Sequence, residues 1–138
     1  MAEVLGILSS VIAIVGFTKN IIDYLQDVDN CTQDQIDLIN ELSRLRTLLL
    51  ILQRRLQDAV SGDPWFDGVR SLGGGNGPLV QLQSDLARLE LKLRPVAGAR
   101  RLIARLWWSF RKAEIGGIIS RIERLKTDVG ILLGGDHL

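Results

Sequence analysis

The chain holds one cysteine, Cys31, and one histidine, His137, and each scarcity excludes a class of chemistry. A lone cysteine forms no internal disulfide and no cysteine-based metal cluster, which fits a cytosolic setting. His137 stands beside the last residue of the sequence, where fraying is the rule, so a histidine-dependent nucleophile or metal site has no place to form. Aromatic residues make up only 5% of the chain and there are three prolines, so a leucine- and isoleucine-rich core built on helices is favoured over sheets. Carboxylate pairs give no catalytic signal either. Asp85 with Glu90, and Asp23 with Asp27, fall on positions expected to be exposed, where solvated or salt-bridged faces are the rule. The glycines at 73–75 and 77 precede a helix, but no strand comes before them and no Lys-Ser or Lys-Thr follows, so neither phosphate-binding pattern is met. No cofactor, no metal and no enzymatic activity are expected.

Basic residues are missing from the start of the chain as well. The opening MAEVLGILSSVIAIVGF is an almost unbroken apolar run with only Glu3 as a charge, and a secretory signal would need a positive segment and a cleavage site. The run is therefore expected to be part of the mature fold. From Val4 to Phe17 a helix rises about 21 Å, short of the ~30 Å hydrocarbon thickness, whereas extension to Tyr24 gives about 36 Å from Met1, enough to span if Lys19 snorkels. Helical spacing puts Val4, Leu8, Val11 and Val15 on one face and Gly6, Ser9, Ser10, Ala13, Gly16 and Asn20 on the other. In the resting state this segment is expected to be a central helix packed on both sides. The small residues Gly6, Ser10, Ala13 and Gly16 would let another backbone approach closely, an arrangement that also suits helix association in lipid. The apolar residues available for insertion are Val4, Leu5, Ile7, Leu8, Val11, Ile12, Ile14, Val15 and Phe17.

At 138 residues the chain fits one domain. The first helix is expected from Ala2 to Asp27, with a bend at Gly16. Thr32 and Gln35 make a capping box for a long second helix with apolar positions Ile36, Ile39, Leu42, Leu45, Leu49, Leu52 and Leu56. Residues 61–77, rich in turn formers, read as a long surface connection. Pro78 opens a helix carrying Leu79, Leu82, Leu86, Leu89 and Leu93 up to Pro95. A fourth is expected from Ala97 to Arg111, and a last from Glu114 to Leu133 with Ile115, Ile118, Ile122, Leu125, Val129 and Leu132, stopped by Gly134-Gly135 ahead of a flexible tail over 134–138. The fold class is all-α: a bundle of four to five helices with a hydrophobic N-terminal helix sheathed by the others. Heptad-like spacing also suits a coiled-coil dimer, but several helices in a short chain favour intramolecular packing.

Net charge is +1, yet charge is unevenly spread. Six acidic residues from Asp23 to Glu41 precede the first arginine, Arg44, whereas Lys92 to Lys112 carries seven basic residues and no acidic one. Such a segment points to an anionic partner or an acidic counterface. Arg101, Arg105, Trp108 and Lys112 share one helical face, opposite Ala99, Ile103, Leu106 and Phe110. One reading has the arginine stems merely covering the indole. The other is anchoring to anionic membrane lipid by Arg100, Arg101, Arg105, Trp108, Arg111 and Lys112, where each basic residue gains about 1 kcal/mol. Single-stranded nucleic acid ranks lower, because the apolar N-terminus has no role in it.

The opening Ala2-Glu3-Val4-Leu5-Gly6, the apolar run from Ser10 to Gly16, the Lys92-Leu93-Arg94-Pro95 stop, the stretch Arg105-Leu106-Trp107-Trp108-Ser109-Phe110-Arg111-Lys112-Ala113-Glu114-Ile115 and the later Ile122-Glu123-Arg124-Leu125-Lys126 occur in this order. Together they resemble the fungal HeLo-like domains, relatives of the HET-s/HET-S HeLo domain, over nearly the whole chain. Ser109 stands where the family pattern has proline. The resemblance implies a helical bundle that executes regulated cell death at the plasma membrane, inserting its N-terminal segment. It also implies self-association on activation, triggered by an upstream receptor or an amyloid-forming motif, and relocation from cytoplasm to membrane. The alternative is a non-enzymatic adaptor module for protein–protein interaction, with Val4 to Phe17 permanently in the core.

Overall fold

The computed structural model describes residues 2–26, 33–58, 65–70, 72, 77–93 and 112–134, and among these it is an all-α bundle of five helices with no strand. They are α1 (Ala2–Gln26), α2 (Gln33–Asp58), α3 (Trp65–Arg70), α4 (Pro78–Leu93) and α5 (Lys112–Leu132). The helix expected over 97–111, the Thr32 cap, Cys31 and His137 lie outside the described residues.

The four long helices share one sequence rule. In α1, Ile7, Ile14 and Ile21 recur every seven residues, as do Val11, Thr18 and Leu25. In α2, Leu38, Leu45 and Leu52 alternate with Leu42, Leu49 and Leu56, and all of these residues are buried. Leu79, Leu82, Leu86, Leu89 and Leu93 of α4, and Ile115, Ile118, Ile122, Leu125 and Val129 of α5, continue the three-four spacing into the same core. Such a repeat keeps one seam facing its neighbours along the full helix, the condition for coiled-coil-like bundle packing. Each buried leucine or isoleucine contributes about 1.5–3 kcal/mol, so these seams supply the main stabilising term.

α1 lies against α2 and α4, and α5 lies against the same two, while the backbones of α1 and α5, like those of α2 and α4, do not approach closely. The cross-section is a square. Six residues separate α1 from α2, a reach of about 24 Å at full extension, too short to return along a helix of this length, so the two run antiparallel. Glu41 of α2 meets Lys126, and farther along Arg55 meets Leu132, so α2 and α5 run parallel.

The square corrects the expectation of a central, sheathed N-terminal helix. Among the described residues α1 has two long neighbours, α2 and α4, and a stripe through Leu5 and Ile12 that is exposed rather than packed. It also passes through Gly16 unbroken. In α2 the core stripe begins at Leu38, whereas Ile36 is exposed and Ile39 half-buried. At the start of α4 the Gly77 carbonyl accepts the Gln81 N–H at 3.2 Å, and Pro78 fills a position that needs no donor. Gly134 ends α5 as expected, at φ 89°, a backbone that disfavours a side chain.

Candidate membrane-inserting helix

α1 turns one stripe inward and leaves the opposite stripe open. Ile7, Val11, Ile14, Thr18, Ile21 and Leu25 are buried, and Leu8, Val15 and Phe17 pack half-buried against the same core. The Thr18 hydroxyl donates to the Val15 carbonyl at 2.7 Å, so its burial leaves no unmet donor. Outward stand Leu5, Ser9, Ile12, Gly16, Lys19 and Asp23, at spacings of four and three, with Leu5 64% and Ile12 47% exposed. Of Val4 only the helical backbone is described.

Of the expected large face, Val11 is buried and Leu8 and Val15 pack half-buried against the core, while Gly6, Ser9 and Gly16 of the small face are exposed. Ile7, Ile14 and Ile21 carry the core, and the stripe that contains Gly6 and Gly16 faces outward. Among the described residues a Cβ added at Gly6 or Gly16 would meet nothing within 4 Å, so neither glycine is used for close approach, while Ser10 and Ala13 are half-buried. Sorting by side-chain size placed Leu8, Val11 and Val15 on the core side but missed Ile7, Ile14 and Ile21, because nearly every position is apolar and packing is centred on the heptad.

Residues 5–26 form 22 residues of apolar helix, about 33 Å long, enough to cross a bilayer by length and composition. Its charges, Lys19 and Asp23, sit in the C-terminal third. A core helix of a soluble bundle can match that length, and α2, with eight of its 26 residues buried, is enclosed to about the same degree as α1. The basic residues Arg100, Arg101, Arg105 and Arg111, with Trp108, lie outside the described residues. Lys112 opens α5, and its side chain is likewise not described.

The connection over 61–77 is more than a surface loop. Its short helix α3 packs against both α1 and α5. Val69 and Leu72 are buried in the common core, and the Trp65 indole Nε1 donates to the Leu132 carbonyl at 2.7 Å. Arg55 of α2 stacks over the Trp65 ring at 4.5 Å and reaches the same carbonyl at 3.4 Å. A helix C-terminus leaves carbonyls without intrahelical donors, and here side chains of α2 and α3 supply them. The signal was present as Trp65, Val69 and Leu72 at helical spacing, hidden among glycine, proline and aspartate.

Asp85 and Glu90 require a second correction, since both are buried, at 7% and 5% exposure. Asp85 accepts from Arg88 at 3.0 Å and from Arg121 of α5 at 2.6 Å. That makes it a clasp between α4 and α5. Glu41 plays the matching part between α2 and α5, pairing with Arg44 at 3.1 Å and Lys126 at 2.7 Å. It lines an open groove with Leu48, Ile51 and Glu123, in which both cations already have a counter-charge. Among the described residues no three His, Cys, Asp or Glu side chains gather as a metal would require. Compared with protein-family models, curated proteins and solved structures, the chain matches none.

Proposed function

We propose that this chain is a membrane-permeabilising module of regulated cell death. In this reading it rests in the cytoplasm, attaches to anionic lipid of the plasma membrane through the basic segment ending at Lys112, self-associates, and inserts α1. The observation that carries the reading is the position of α1: a helix long enough to span a bilayer, at a corner of the bundle, with an uncharged outward stripe from Leu5 to Gly16. Departure from a corner breaks the contacts with α2, α4 and α3 but leaves the packing of α5 on α2 and α4 in place. The likeness of the fragments around Val4 and Trp108 to HeLo-like domains supports the same conclusion. Activity is expected to reside in the bundle itself, with an upstream receptor or an amyloid-forming motif as trigger.

Ile12→Asp separates this reading from a pure adaptor. Ile12 is 47% exposed in the bundle, so a polar residue there should change stability by only about 0.5 kcal/mol. Near the middle of a membrane span the same aspartate costs about 2.5–3.5 kcal/mol. Dye release from anionic liposomes should thus fall on the order of 100-fold, with helical content and urea midpoint close to those of the parent. A parent that releases no dye, or a variant that releases it as fast, would leave the adaptor reading in place.

A further inference from the structure

We propose that α3 is a latch that couples the C-terminal end of α5 to the retention of α1; the inference rests on the reading that α1 is the element that leaves. α3 packs against both helices, whose own backbones do not approach each other closely. Its hold on α5 is specific: the Trp65 N–H on the Leu132 carbonyl, the Arg55 guanidinium closing over the same ring, and Gly68 so near that an added Cβ would lie 2.7 Å from Leu132 Cδ2. Val69 and Leu72 add an apolar hold on the common core, and the Leu72 N–H returns to the Val69 carbonyl at 3.0 Å to keep that turn closed. A pull on the end of α5 that draws Leu132 away removes the indole's acceptor and the glycine's packing partner in one movement. α3 then withdraws and α1 loses a neighbour at its flank. The latch thus gives a disturbance at residues 132–134 a route to α1 that does not pass through the main seams.

Hydrogen exchange in dilute denaturant, on the parent protein without membrane, tests this directly. The amides of Val69, Arg70 and Leu72 should open together with those of α1, as one unit, before α2, α4 and α5 open. Trp65→Phe removes the indole donor and should speed exchange in α3 and α1 by about tenfold or more, leaving the centre of α2 unchanged. The latch is overturned if α1 opens while α3 stays protected, if α3 opens while α1 stays protected, or if Trp65→Phe raises exchange equally in all helices. Should the variant fail to fold, the parent measurement decides. Because no lipid is involved, a protein that never releases liposome dye would sink the proposed function and leave this result standing.

Discussion

Ile14→Ala should speed liposome leakage on the order of tenfold or more, while Leu125→Ala should leave the rate within about twofold of the parent. Both residues are fully buried. Each substitution should lower the free energy of unfolding by about 2–5 kcal/mol, so urea midpoints should fall by similar amounts. The difference lies in what each helix does. Ile14 belongs to α1, and its packing is lost when α1 leaves, so trimming it lowers the cost of that step. Leu125 belongs to α5, which the Asp85–Arg121 and Glu41–Lys126 pairs hold to α4 and α2. Trimming Ile14 also makes α1 slightly less apolar, but that insertion penalty is below about 1 kcal/mol and loses to the packing term. Equal acceleration by the two variants would mean that global unfolding, and not departure of α1, sets the rate.

Reversing charge at Arg101→Glu with Arg105→Glu should abolish cosedimentation with anionic vesicles. Two attractions of about 1 kcal/mol each are lost and two repulsions of similar size appear, on the order of 1000-fold in affinity. Helical content by circular dichroism should be unchanged, and binding by the parent should weaken as salt shortens the Debye length. Ile12→Asp should still sediment with the vesicles, because attachment and insertion use different residues. Binding by the double variant equal to the parent at low salt would remove the basic segment from the mechanism.

How much of this was legible in the sequence differs from helix to helix, and the reason is contrast. In α4 and α5 the leucines and isoleucines stand among charged neighbours, so spacing alone identifies the buried side, and Leu79 to Leu93 and Ile115 to Val129 are in the core as expected. In α1 nearly everything up to Phe17 is apolar. The wheel then offers no polar face to set against the core, and the sevenfold recurrence of Ile7, Ile14 and Ile21 is the cue that remains. At the other extreme, Asp85 looked like a surface carboxylate because its decisive partner, Arg121, is 36 residues away. Local periodicity reports which side of a helix is apolar and is silent about a long-range ion pair at the edge of that side. Trp65 was missed for a related cause: its acceptor is a main-chain carbonyl, which no side-chain pattern reveals.

The square cross-section bears on what remains after α1 departs. α2 and α4 stand across a diagonal with no close backbone approach among the described residues, so subtracting α1 does not leave a closely packed three-helix core. It leaves a trough, with α2 and α4 as walls and α5 as floor. The five aliphatics that α1 withdraws, Ile7, Val11, Ile14, Ile21 and Leu25, uncover a comparable apolar area on those walls. At about 1.5–3 kcal/mol per side chain the newly wetted surface costs on the order of 10 kcal/mol. A single molecule in that condition is its own best adhesive, since the apolar surface of the next copy is the nearest material able to fill the vacancy. Leakage would then rise with a kinetic order above one in protein, a cooperativity that comes from the geometry of the cross-section and needs no dedicated oligomerisation motif.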